Sequence, residues 1–446
     1  MPESGSPPGL SVPVAVDLEG KRKALAQICS RPFVTDAEQQ EFAAAQRWIE
    51  ACGQEVGLPL NFCGSLLIMR LYRLITPAAD QGPSWMAAVH AAAAAYDFAF
   101  LSLAHADDEA DATFARDGRA TRFATHPNTR AVDGINLLLS GITAMHEALD
   151  EWPGTSADLD QGASGRHPLA LEILGELVRA LREAAFPILL DRVDFGHVAT
   201  SKRFSSGLSP IMVDAQSLKR VEAFARHRAQ TYFMRAAHLA ALLAGYTSIQ
   251  SPLMATLEEL FDLWGVLGAA TDDLQDLFGD FAAGIHSACT VLAHLCVATD
   301  PAVRPAFRRE IPDQLIQEQR TRLEGLFGAT DPIRNRATVA SLMDEIELRR
   351  ALTEHLEPYG AFFAQVIYRA VRQFGLSPNL VIEIVAVTCE DTDFQVPELY
   401  LIALENVTDP DILELMHGQV GRFIALYIVD RFWGRTREHD SSNTNI

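Results

Sequence analysis

The sequence predicts an all-α protein, an antiparallel helix bundle packed around a central cavity. Apolar residues recur at helical spacing along most of the chain. Helix-breaking clusters rich in Pro, Gly and Ser interrupt them at 153–167, 199–210, 328–332 and 377–378. No alternating apolar/polar run of strand type stands out. In order, the periodicity predicts helices over 36–52, 66–75, 84–112, 131–152, 168–186, 217–244, 251–281 and 285–298. It continues over 305–327, 334–356, 360–374, 378–388, 396–405 and 410–433. Residues 1–20 and the polar tail 438–446 read as disordered, because neither carries enough apolar surface to offset chain ordering.

Composition narrows the function classes. The 446-residue chain is 48% apolar, enough for one large helical domain with additions or for two domains. A net charge of −21 argues against nucleic acid as a partner. No run of about 18 uncharged apolar residues predicts a membrane span, and the Pro/Ser/Gly-rich N-terminus lacks the pattern of a signal peptide. The six cysteines, at 29, 52, 63, 289, 296 and 389, form no C-x-x-C pair. They read as buried, reduced thiols of a cytoplasmic protein.

Two acidic clusters of identical pattern carry the chemistry. Asp107, Asp108 and Asp111 form the first Asp-Asp-x-x-Asp; Asp272, Asp273 and Asp276 form the second, about 165 residues later. Each interrupts an apolar, helix-like stretch, where three carboxylates are costly unless a cation sits against them. Residues four apart share a helix face, so Asp107 pairs with Asp111 and Asp272 with Asp276. Hard oxygen donors in this number suit Mg²⁺, which completes its shell with water and phosphate oxygens. Opposed across a cavity, the two faces would cage two or three Mg²⁺ ions around a diphosphate.

The surrounding residues resemble the trans-isoprenyl diphosphate synthase (polyprenyl synthetase) family, whose class I isoprenoid synthase fold is shared with class I terpene synthases. "HADDEADATFARDGRAT" is similar to the family's Asp-rich stretch with its following Arg-Arg-Gly, and "GVLGAATDDLQDLFGDFAAG" to its second motif. The likeness is strongest over 84–145 and 225–300. It implies an isoprenoid synthase domain over 21–377, a helical extension over 378–437, a homodimer, and an allylic prenyl diphosphate as substrate. Diphosphate contacts fall to Arg116, Arg228, Arg235 and His286. Residues four and five before the first motif floor the family's chain pocket; here they are Leu103 and Ser102. Phe98, Phe100, Phe261 and Trp264 are the nearby aromatic faces that could line a cavity and stabilise a carbocation.

The departures from the family bear on the reaction. Its chain-elongating members hold isopentenyl diphosphate with a Gly-Lys-x-x-Arg segment, where this chain reads "LPLNFCGSLLIMRLYRL". The second Arg of Arg-Arg-Gly is Asp117, and the Phe-Gln before the second motif is Gly268-Ala269. Only four lysines exist, Lys21, Lys23, Lys202 and Lys219, so none falls at the family's other lysine positions. Each lost charge-assisted phosphate contact removes roughly 1.5–3 kcal/mol. The expectation is therefore a Mg²⁺-dependent terpene cyclase, acting on a C15 or C20 allylic diphosphate. The alternative is a prenyltransferase, elongating with isopentenyl diphosphate or transferring to another acceptor; a non-catalytic partner subunit is the third reading.

Ordinary structural roles stand beside these assignments. Arg116 and Arg228 could be surface arginines, His286 a helix N-terminal residue, and Phe98, Phe100 and Trp264 plain core. Glu390-Asp391-Thr392-Asp393 lacks an i+4 partner and reads as an interhelical loop. The C-terminal "VDRFWGR", Val429–Arg435, puts Arg431 near a helix end where it could cap the site, and fits an amphipathic packing helix equally well.

Overall fold

The computed structural model describes residues 63–76, 89–97, 172–180, 215–244, 252–275, 277–284, 286–328, 332–374 and 406–442, with scattered positions between them. The predicted helices 36–52 and 378–388, and most of 84–112, 131–152 and 396–405, lie outside those residues. What is described is overwhelmingly helical, as the periodicity predicts. The exception is a two-residue ladder, β1 (Ala115–Arg116) with β2 (Arg119–Ala120), paired antiparallel with Arg116 opposite Arg119. Two residues, Asp117 and Gly118, separate the strands, and Asp-Gly is a favoured hairpin pair.

The chain divides into two compact units. The first comprises Met1–Ile188, Gln230–Glu258 and Phe374–Gln395. Its described core is α1 (Cys63–Ile75) packed on α3 (Arg235–Leu243), with an intervening π-helical turn, Gln230–Met234, also against α1. Leu66, Leu67, Ile68 and Met69 of α1 are buried, as are Ala236, Ala237, Leu239 and Ala240 of α3. The small α3 residues allow close approach of the two helices. A π turn widens the helix and disturbs its regular bonding ladder. Here the Tyr232 carbonyl accepts the Tyr96 hydroxyl at 2.5 Å, and the Gly64 amide donates to Tyr232 Oη at 3.2 Å. Gly64 is required, since a Cβ there would meet the Tyr96 ring at 2.5 Å.

The second unit comprises Leu189–Ala229, Glu259–Gln373 and Val396–Ile446. It contains α2 (Ala215–Ala229) and most of α4 (Pro252–Gln275), then α5 (Leu277–Ala283), α6 (Ala288–Cys296), α7 (Asp313–Leu326), α8 (Pro332–Glu345), α9 (Leu348–Phe374) and α10 (Pro410–Ser442). Helix α2 packs on α6, α5 on α6 and α8, and α7 on α8. Arg308 is 2% exposed and serves as an internal clasp. It donates to the Cys296 and Glu345 carbonyls, each at 3.3 Å, and to Gln319. Both carbonyls belong to C-terminal turns, where a cation opposes the helix dipole and satisfies acceptors left without helical partners.

Helix α10 is long and apolar enough over Pro410–Arg431 to cross a membrane, with mean hydropathy 1.3. It nevertheless buries Val420, Ile424, Ala425, Ile428 and Val429 within its own unit. Gly421 meets Gly360 of α9 there: a Cβ on Gly360 would lie 2.7 Å from the Gly421 carbonyl oxygen. A one-sided buried stripe of this kind is the packing helix that the sequence allows. The helix runs on to Ser442, into the polar C-terminal segment. Cys289 and Cys296 are free and buried, as expected. Burial pushes the Cys289 thiol well above its usual range and the Cys296 thiol up to about 12, so both stay protonated.

Candidate functional site

The second acidic motif ends α4, and the packing of α4 on α2 determines what faces it. Gly265 makes that packing possible, because a Cβ there would lie 2.7 Å from the Arg226 Cα. Ala225 and Ala229 surround the same point, and Arg226 forms an ion pair with Asp262 one turn earlier on α4. One turn before Arg226 on α2, Glu222 accepts the Tyr359 hydroxyl at 2.9 Å and lies 3.0 Å from His355 Nε2, fixing α2 to α9. Burial alone would raise the Glu222 pKa; bonds from His355 and Tyr359 overcome this and hold it below the usual value.

This scaffold brings Arg228 to 3.8 Å from Asp272, both side chains being more than 60% exposed. An exposed ion pair of that length contributes little to stability. What it provides is an accessible carboxylate with a cationic neighbour at the start of the motif.

Asp273, the next residue, is in a different setting. Its Oδ2 accepts the Ala288 amide at 2.7 Å, at the beginning of α6. Burial, then the Asp272 charge, raises its pKa to about 7 against the lowering effect of the Ala288 and Cys289 amides. Asp276 lies outside the described residues.

The other sequence-predicted residues are distributed as follows. Asp107, Asp108, Asp111, Phe98 and Ser102 lie outside the described residues, and Arg116 is placed only as part of β1. Leu103 is helical and half-buried. Phe100 packs edge-on against Tyr232 at 4.4 Å and beside Tyr96 at 4.5 Å. Phe261 is fully buried, and Trp264, 6% exposed, packs against Phe363 at 6.0 Å. The indole also covers Gly268, whose missing side chain leaves the space, so Trp264 is core packing. His286 is half-buried beside Phe327, at 5.1 Å, and His294, at 6.0 Å.

Arg235 is committed elsewhere. Its guanidinium bonds Glu176 at 2.5 Å and both oxygens of Glu183 at 2.6 Å, with His238 3.2 Å from Glu176. Glu176 is 2% exposed, so this arginine neutralises a buried carboxylate inside the first unit and is not offered to a diphosphate. The sequence reading also passed over Tyr232; the residues Gln-Thr-Tyr-Phe around it gave no local sign of a π turn.

Among the described residues no three His, Cys, Asp or Glu side chains gather into a metal site. Asp272, exposed beside Arg228, is the described carboxylate whose hard oxygen donors would suit Mg²⁺.

No family profile matches the chain, and no curated protein does. Among solved structures it is similar to T. brucei farnesyl diphosphate synthase complexed with risedronate, with TM-score 0.58 and 13% identity. The match covers 86% of this chain and 99% of that one. The chain therefore has the all-α isoprenoid synthase fold.

Proposed function

We propose that this protein is a Mg²⁺-dependent class I terpene cyclase acting on an allylic prenyl diphosphate of C15 or C20 length. The observation that carries the cyclase reading is the loss of cationic groups for a second diphosphate. No lysine occurs from 24 to 201 or from 220 to the C-terminus. The arginines of the segment that in the resembled family grips isopentenyl diphosphate are Arg70 and Arg73, and these are 3% and 6% exposed.

In this reading Asp107, Asp111 and Asp272 hold the metal, with Asp108 and Asp276 in support, and Arg228 and Arg116 bind the diphosphate. His286 remains a candidate for the same role. Bound Mg²⁺ would supply Lewis-acid stabilisation of charge on the leaving group. Arg228, already beside Asp272, stabilises the diphosphate oxygens as the allylic C–O bond breaks and its electron pair leaves with them. The carbocation left behind is attacked by a double bond of the same chain. Proton loss or water capture then ends the cascade. Phe100 is the described aromatic nearest in sequence to the first motif, and its neighbour Tyr232 widens that apolar surface.

The test is release of inorganic pyrophosphate from geranyl, farnesyl and geranylgeranyl diphosphate with Mg²⁺ and no second substrate. Turnover by the wild type, reduced 100-fold or more by Asp272→Ala at unchanged melting temperature, is the expected result. Release that requires isopentenyl diphosphate or another acceptor would replace the cyclase with a prenyltransferase.

A further inference from the structure

We infer that Asp273, the middle carboxylate of the second motif, is a positioning residue: it caps helix α6 and clamps the turn before it to the end of α4, leaving Asp272 to face ligands. The inference rests on the proposed diphosphate site only for the identity of what Asp272 holds.

The amide count at the start of α6 supports it. The first amides of a helix have no partners within the helix and must find them elsewhere. Ser287, the N-cap, donates its own amide to Thr290 Oγ1 at 2.8 Å, and Ser287 Oγ accepts the Thr290 amide at 3.4 Å. The Val291 amide donates to the Ser287 carbonyl at 2.9 Å. That reciprocal capping box leaves the amides of Ala288 and Cys289. Asp273 takes the first of them: Oδ2 accepts Ala288 N at 2.7 Å. A side chain on one helix thus completes the cap of another, 15 residues away in sequence. A carboxylate at a helix N-terminus is also favoured by the helix dipole.

The segment enclosed by this clamp is fixed at further points. Gly284 turns with φ +72°, and the Gly328 amide donates to the Phe281 carbonyl at 2.7 Å. His286 sits within the enclosed turn, two residues before Ala288. The adjacent Asp272 and Asp273 therefore divide the work: one stays exposed beside Arg228, and the other accepts the Ala288 backbone amide. Asparagine can reproduce the second role, since its Oδ1 accepts the same bond, whereas alanine cannot.

The experiment compares Asp273→Asn, Asp273→Ala and Asp272→Asn in the full-length protein. Mn²⁺ binding in the presence of inorganic pyrophosphate is read by electron paramagnetic resonance, and the metal-free melting temperature is read alongside. A cap requires that Asp273→Asn keep the melting temperature within about 2 °C and the Mn²⁺ affinity within about threefold. Asp273→Ala should then melt several degrees lower and bind Mn²⁺ more weakly. Asp272→Asn should lose affinity tenfold or more without melting earlier. A loss of affinity in Asp273→Asn as large as in Asp272→Asn would make Asp273 a metal ligand and overturn the inference. Equal melting of the Asn and Ala variants would overturn it too. Should the wild type bind no Mn²⁺ with pyrophosphate, the diphosphate site fails, while the melting comparison still decides the cap.

Discussion

Replacing Arg235 with methionine tests whether that arginine belongs to the interior or to the substrate. The Glu176 carboxylate is 2% exposed and receives Arg235 at 2.5 Å, Arg179 at 2.8 Å and His238 at 3.2 Å. Breaking a buried pair by removing one partner costs about 3–5 kcal/mol, because the other charge remains desolvated. Arg179 stays on the second oxygen, but it is 57% exposed and shares its charge with solvent, which places the cost near the lower end. The Glu183 arm is 37% exposed and adds under about 1 kcal/mol. The expected loss is thus about 3 kcal/mol at pH 7, measured by urea unfolding. Its pH dependence follows from Glu176. Burial would raise that carboxyl, yet bonds from His238 and Arg235 hold it below the ordinary carboxylate value of 4.5. A depressed carboxylate stabilises the fold fully above the unfolded pKa and ceases to do so as pH falls through the folded one. The gap between wild type and Arg235→Met should therefore be full at pH 7 and shrink below about pH 4.5. A cost under 1 kcal/mol, or weakened diphosphate binding at unchanged stability, would return Arg235 to the substrate site.

Three further outcomes follow from packing and burial. Gly265→Val drives a side chain into the α2 backbone at Arg226 and should cost about 1–3 kcal/mol or more. It should also lower pyrophosphate release, since α2 carries Arg228. Gly421→Val forces apart α9 and α10, where its Cβ would lie 2.6 Å from the Glu357 carbonyl oxygen, and should lower the melting temperature by several degrees. In native protein, Cys289 and Cys296 should resist a thiol reagent at pH 8 and react fully in denaturant. Rapid native labelling of either would contradict their burial.

Helix α9 illustrates what the sequence could convey about the fold. Apolar periodicity locates its buried face, with Leu352, Leu356, Phe363, Ala364 and Ile367 in the core. The periodicity nevertheless predicts two helices here, one ending at 356 and the next beginning at 360. The helix instead continues through Pro358 from Leu348 to Phe374. The break falls at Glu347, whose φ of 56° is unusual for a non-glycine residue. The burial along α9 outweighs the proline, and Gly360 serves the contact with Gly421. The π turn at 230–234 escaped notice for a similar reason. Its visible ties are to Gly64 and Tyr96, more than 130 residues away in sequence.

The site was legible where its signal was local. The i, i+4 spacing marks the second motif and puts Asp272 on a helix; that Arg228 lies beside it is visible only in the structure. Asp272 and Asp273 look equivalent in sequence and are not, because the difference arises from amides at 288 and 289. Arg235 was assigned to the substrate because nothing near it reveals Glu176, 59 residues earlier. Trp264 reads in the sequence as core or cavity wall, and in the structure it packs against Gly268 and Phe363.

The measurement that bears most directly on the central proposal is product analysis of the purified protein with Mg²⁺ and C10, C15 or C20 allylic diphosphate. Each substrate is incubated with and without isopentenyl diphosphate, and the extracts are resolved by gas chromatography–mass spectrometry. The account predicts a cyclic hydrocarbon or alcohol formed without the cosubstrate. Linear, longer diphosphates appearing only with isopentenyl diphosphate would contradict it.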